Sequence, residues 1–151
     1  MQKILAAGPP DEMVCLIVAG GGGVPVISAG SGFQGIDAVI DKDFSASLLA
    51  TKLRAALLLV LTAVDFVYRD FGLRCPKEIR MLPVKEAKQA VEEGLFAAGS
   101  MKPKVEAVIQ YFDTMSPALG EVTPKSIITS VEAVLSSTCH DFMDVGTHFV
   151  P

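Results

Sequence analysis

The chain is short of charge of one sign, of long apolar runs and of paired cysteines, and each shortage excludes something. Lys and Arg number 13 against 17 Asp and Glu in 151 residues, a net charge of −4 with no long run of either sign, so no basic face for nucleic acid is expected. The stretch from Met13 to Gly30 carries no charge but holds four consecutive glycines and Pro25, and the apolar block Ala55 to Val64 is far short of the ~20 residues a membrane helix needs. Membrane insertion is therefore not expected. The start breaks at Pro9, Pro10 and Asp11 before it builds a secretory core of ~7–15 apolar residues, and a cytosolic protein is expected. Cys15, Cys75 and Cys139 are odd in number, far apart and without a Cys-x-x-Cys pair, which offers neither a disulfide framework nor a zinc site. Cys139-His140, with His148 nearby, carries the residue types of a thiol nucleophile and its base, but neighbours in a polar stretch lack the geometry, and reduced structural thiols are the simpler account.

Half of the residues are apolar and 20% are charged, enough for one domain with a sizeable core. Val14 to Val18 reads as a buried strand emptying into Gly20, Gly21, Gly22 and Gly23, and Ile36 to Ile40 as a second strand. Phe44, Leu48, Leu49 and Leu53 then repeat at helical spacing. Ala56 to Leu61 and Phe66 to Tyr68 read as strand, turn and short strand. Two helices follow, Val84 to Glu93 closed by Gly94 at C′, and Pro103 to Met115, where Val105, Val108, Ile109 and Phe112 make one apolar face. Ser126 to Thr129, Val131 to Leu135 and His148 to Val150 read as strand, short helix and last strand. The alternation predicts an α/β three-layer sandwich with a mostly parallel sheet covered on both faces.

Chemistry has a few candidate places. Gly30-Ser31-Gly32-Phe33-Gln34-Gly35 satisfies G-x-G-x-x-G but leads into a strand-like segment and has no acid about 20 residues on, so it is read as a flexible loop. No Gly-Lys dipeptide exists, which excludes a Walker A loop. Gly20 to Gly23 either cradles an anion with its backbone N–H groups or is a tight crossover turn. In Asp41-Lys42-Asp43 one aspartate is expected to cap a helix, on Asp41 or Asp43. Pro103 suits the first helical position, which leaves Lys104 in a first turn where the helix dipole disfavours a cation unless an anion is bound.

Five segments together resemble carbamate kinase of the amino-acid kinase family: Ala19 to Ile27, Val39 to Ala50, Leu61 to Tyr68, Phe96 to Ala107 and Ile127 to Ser130. They follow the family's order, and Ile-Asp-Lys-Asp paired with Gly-Ser-Met-x-Pro-Lys favours carbamate kinase over its acetylglutamate, uridylate and aspartate kinase relatives. The resemblance covers residues 14–151, as a nucleotide-binding lobe matching the C-terminal half of the family fold. Residues 1–13 diverge, Ala63 stands where relatives often have Asp or Gly, and the N-terminal half with its own phosphate loop has no counterpart. The resemblance implies a partial chain of an ATP:carbamate phosphotransferase of arginine breakdown, or, as the alternative, a catalytically silent nucleotide-binding or dimerisation module. It implies Lys42 and Lys104 as the charges around the transferred phosphoryl group, with Asp43 orienting both. Thr62, Val64, Asp65, Tyr68, Gly99, Ser100 and Met101 would border ATP or ADP, and Gly20 to Gly23 would lie near carbamoyl phosphate. Magnesium would travel on the nucleotide, with no metal site of the chain's own, and the chain would form a homodimer.

Overall fold

A computed structural model describes residues 15–18, 20–21, 23–69, 71–72, 74–115, 123–137 and 144–151. The element order opens with a hairpin, β1 (Val26–Ala29) and β2 (Gly32–Gly35), paired antiparallel from Val26↔Gly35 to Ala29↔Gly32. Gly30, at φ +58°, opens the turn, a conformation that glycine adopts without steric cost. The G-x-G-x-x-G stretch is thus a hairpin turn and strand rather than a flexible loop.

Helix α1 (Lys42–Leu53) follows, then β3 (Leu57–Thr62), β4 (Val67–Arg69), β5 (Lys77–Ile79), β6 (Met81–Pro83), α2 (Val84–Glu92), α3 (Met101–Met115), β7 (Lys125–Ser130), α4 (Val131–Ser136) and β8 (Thr147–Val150). The central sheet has the order β3-β7-β8-β6. β3 and β7 run parallel, as do β6 and β8, while β8 runs antiparallel to β7, so the sheet is mixed. β4 and β5 form a separate antiparallel ribbon.

The core lies on one face of this sheet. Leu58, Val60, Ile128, Phe149 and Leu82 meet Val84 and Ala87 of α2 and the apolar side of α3, which includes Val105, Val108, Tyr111, Phe112 and Met115. α2 ends as expected, with Gly94 at φ +72° just past the Glu93 cap. α1 packs along α3 with Ser47 and Ala50 as its buried residues, while Phe44, Leu49 and Leu53 are half-buried and Leu48 is exposed. Small side chains there let the two helix backbones approach. On the far face of the sheet the turn through Gly146 lies against Ile127 and Thr129, and Leu57, Leu61 and Met81 stay exposed.

Two expected strands are absent. Cys15 to Val18 makes no strand, and Ile17 is 98% exposed; Ile36 to Ile40 is irregular and exposed. An apolar, β-branched run becomes a strand only where a neighbouring edge completes its hydrogen bonds, and neither run has joined one. Among the described residues no helix is long and apolar enough to cross a membrane.

Candidate active site

The start of α1 separates its two aspartates. Asp41 is the cap: its Oδ1 accepts a hydrogen bond from the Asp43 N–H at 2.8 Å, and Ser45 Oγ donates to its carbonyl. Asp43 is thereby free for a distant partner. Lys104 Nζ donates to Asp43 Oδ2 at 2.7 Å across 61 residues, and each side chain is only 21% exposed. Lys42, the first residue of α1, is exposed; of the two lysines expected around Asp43, the structure brings Lys104.

α3 begins at Met101, two residues before the expected start, because Ala97 O accepts from both Ser100 N and Lys102 N and turns the chain into the helix. Pro103 is then its third residue, still in the first turn, where the missing N–H costs nothing. Lys104 stays in the first turn, and the negative charge it needs comes at least in part from Asp43. Lys102 has Glu106 within 3.8 Å.

A cleft of about 190 Å³ opens at the start of α3. Thr62, at the end of β3, and Val64, Tyr68, Ser100 and Met101 line it, so five of the seven residues expected around a nucleotide share one wall system. Lys104 stands one helical turn beyond Ser100 and Met101. Gly99 lies in the adjoining turn and is exposed. Asp65 turns away from the cleft: Ser130 Oγ donates to its carboxylate, and it borders a second, open depression with Glu132, Ser136 and Asp144. Ala63, Phe71, Leu95, Phe96 and Ala97 complete the first cleft; the last four were not expected there from the sequence, although Phe96 and Ala97 begin one of the family-like segments. Tyr68 and Phe71 stand with ring centres 6.1 Å apart, which makes that wall aromatic.

The described glycines of the run, Gly20, Gly21 and Gly23, are not among the residues that line the cleft. Gly20, Gly21 and Gly23 are exposed, and a Cβ on Gly20 or Gly21 would meet nothing within 4 Å; Gly22 lies outside the described residues. Gly20 and Gly21 lie in a turn. Cys139 and His140 also fall outside the described residues. Cys15 and Cys75 are free and exposed, and His148 Nε2 lies 3.1 Å from Val145 O. Among the described residues, no three His, Cys, Asp or Glu side chains gather as a metal site.

A mixed α/β sheet with an apolar cleft at the end of one strand and a lysine–carboxylate pair beside it defines a candidate small-molecule site. The sequence model of the amino acid kinase family matches residues 14–114, and the chain belongs to that family. The carbamate kinase of Thermoplasma acidophilum is 45% identical over 116 residues, which cover 77% of this chain and 36% of that protein. The carbamate kinase of Latilactobacillus sakei is 40% identical over 128 residues, covering 85% of this chain and 39% of that protein. Carbamate kinase from Giardia lamblia bound to AMP-PNP superposes with a TM-score of 0.69 at 33% identity, over 86% of this chain and 38% of that one. The chain thus spans under two fifths of the length of these relatives.

Proposed function

We propose that the chain is the nucleotide-binding part of a carbamate kinase, holding ADP or ATP in the cleft between Thr62 and Met101. The observation that carries the reading is the Lys104–Asp43 ion pair one helical turn from the cleft wall. Apolar and aromatic walls with few polar groups suit a flat purine ring. A lysine held beside them by a carboxylate suits the phosphates, because phosphoryl transfer needs positioning and positive charge more than covalent help.

In this reading carbamoyl phosphate gives its phosphoryl group to the terminal phosphate oxygen of ADP, the carbamoyl C–O–P bond breaks at the phosphorus, and carbamate leaves with the electron pair. Lys104 neutralises charge on the transferred group and Asp43 fixes where its ammonium points. Lys42, exposed at the head of α1, is the second cation. Asp65 supports the Thr62 to Tyr68 loop from behind through Ser130, rather than touching nucleotide. Magnesium arrives on the nucleotide phosphates, and a homodimer completes the reading. The T. acidophilum and L. sakei relatives, named as carbamate kinases, and the G. lamblia enzyme, solved with an ATP analogue, support it.

Calorimetry of the chain with Mg-ADP tests the nucleotide part. Saturable binding is expected, and it should be lost on filling the cleft with Ala97→Trp. No heat and no thermal shift at millimolar nucleotide would sink the reading.

A further inference from the structure

The aromatic wall of the cleft stands on a short ribbon. β4 and β5 pair from Val67↔Ile79 to Arg69↔Lys77, outside the central sheet, and so small a two-stranded ribbon is marginal in water unless something holds it. Side chains alternate along β4: Val67 is fully buried in the core, so Tyr68 points the other way and lines the cleft. Phe66 meets the Tyr68 ring edge-on with ring centres 6.4 Å apart, and the Arg80 guanidinium lies 4.9 Å from the Phe66 ring centre. Where Tyr68 stands is thus decided by how the root of the ribbon is held.

One hydroxyl ties that root to the central sheet. Thr147, the first residue of β8, is fully buried. Its Oγ1 accepts from the Val67 N–H at 2.8 Å and donates to Ile79 O, which joins both strands of the ribbon at their first pair. One position on, His148 N donates to Arg80 O at 2.9 Å. A threonine hydroxyl has one proton to give, and here that proton and a lone pair both go to ribbon backbone. Valine has the same outline and would fill the space as well, so what the hydroxyl adds is the hold on β4 and β5.

We infer that Thr147 is a positioning residue for the nucleotide: its hydroxyl holds β4 so that Tyr68, together with Phe71 at 6.1 Å between ring centres, presents a pre-formed wall to the base. The inference rests on the nucleotide reading of the cleft. Thr147 lies outside the cleft lining and acts through Tyr68. It is a second anchor, distinct from the Asp65–Ser130 bond that ties the chain just before Phe66 to β7. A pre-formed wall spares the ligand the entropy of ordering it. Because this wall faces the base and not the phosphates, losing the hydroxyl weakens a nucleoside and its diphosphate by the same factor, unlike loss of the charge that aims Lys104.

The test compares Thr147→Val with Thr147→Ser by calorimetry with Mg-ADP and with adenosine, and by hydrogen exchange. Thr147→Val is expected to weaken both ligands about tenfold. It should also speed exchange in residues 67–69 and 77–79 while leaving exchange in α3 unchanged, which shows that the variant is folded. Thr147→Ser keeps the hydroxyl and should restore both affinities and the slow exchange. Tyr111→Phe removes a buried hydrogen bond to Ala55 O, outside the ribbon, and controls for lost stability alone; its adenosine affinity should not move. Should Thr147→Val not fold, Thr147→Ala carries the same comparison. Unaltered binding in the variant without the hydroxyl, a Thr147→Ser that binds as weakly, or an equal loss in Tyr111→Phe would each overturn the positioning role. A wild-type chain that binds neither ligand condemns the nucleotide reading and the positioning role with it, whereas wild-type binding beside unmoved affinities in Thr147→Val condemns the positioning role alone.

Discussion

Replacing Asp43 by Asn keeps the outline of the side chain and removes the charge that Lys104 Nζ meets at 2.7 Å. At an effective dielectric of about 20, opposite charges at that distance attract by about 6 kcal/mol. Both side chains are four-fifths removed from water, and desolvation with side-chain ordering offsets most of the gain, leaving about 1 kcal/mol net. The expected cost in melting temperature is about 2–4 °C for a chain of this size. The larger effect should fall on ligand: with Lys104 no longer aimed, ADP affinity is expected to drop about tenfold, equal to about 1.4 kcal/mol, while adenosine, which has no phosphate, binds as before. Calorimetry with both ligands, beside thermal melting, reads the difference. Asp41→Ala is the control, because it removes the helix cap at about 0.5–2 kcal/mol and should weaken ADP and adenosine alike or not at all. Equal losses for both ligands in Asp43→Asn, or unaltered binding, would refute the orienting role. Tighter ADP binding would refute it too, since the carboxylate would then be competing with phosphate for the lysine.

Gly146→Ala should destabilise the fold by about 2–4 kcal/mol through left-handed backbone and overpacking: at φ +79° a Cβ would lie 2.6 Å from both Ile128 O and Thr129 Cβ, and urea denaturation measures the loss. Burial raises the Tyr111 phenol above its ordinary pKa, and its hydroxyl donates to Ala55 O at 2.6 Å. Because the fold favours the neutral phenol, that stability is complete below the ordinary value of about 10 and is lost as pH rises through the higher folded value. Tyr111→Phe should cost about 1–2 kcal/mol at neutral pH and remove this part of the alkaline fall in a denaturation series from pH 7 to 11; an unchanged alkaline slope refutes the assignment.

What the sequence made legible was whatever a segment decides by itself. β3 is apolar enough to be a strand in any buried setting, β7 carries the β-branched run Ile127, Ile128 and Thr129, and α3 carries its face at helical spacing, so Val105, Val108 and Phe112 are buried as expected. Gly94 stops α2 because a left-handed residue is needed there. What was not legible depends on a partner. β6 is three residues long and exists because Met81 and Leu82 pair with His148 and Phe149, more than sixty positions on. The run Cys15 to Val18 has strand chemistry but pairs with none of the described strands, while β1 and β2, which show no alternation, pair across a glycine turn.

The site divides along the same line. Its residue types were legible because the chemistry is local to short segments: a capped helix start with a spare carboxylate, and a lysine in the first turn of another helix. Their meeting was expected only through the family resemblance, since nothing in the residues near Asp43 or Lys104 specifies a contact across 61 positions; it follows from α1 lying along α3, which in turn follows from Ser47 and Ala50 being small. Asp65 shows the converse. It sits among cleft residues in sequence, between Val64 and Tyr68, yet its carboxylate is drawn to Ser130, which also caps α4 by accepting from Ala133 N. A carboxylate beside an apolar cleft is poorly hydrated if it faces inward and well satisfied if it turns to a hydroxyl, so the side chain goes where the hydrogen bond is. The loop thereby acquires one face for a ligand and one anchor to β7, and the anchor is what holds Thr62, Val64 and Tyr68 in position around the cleft.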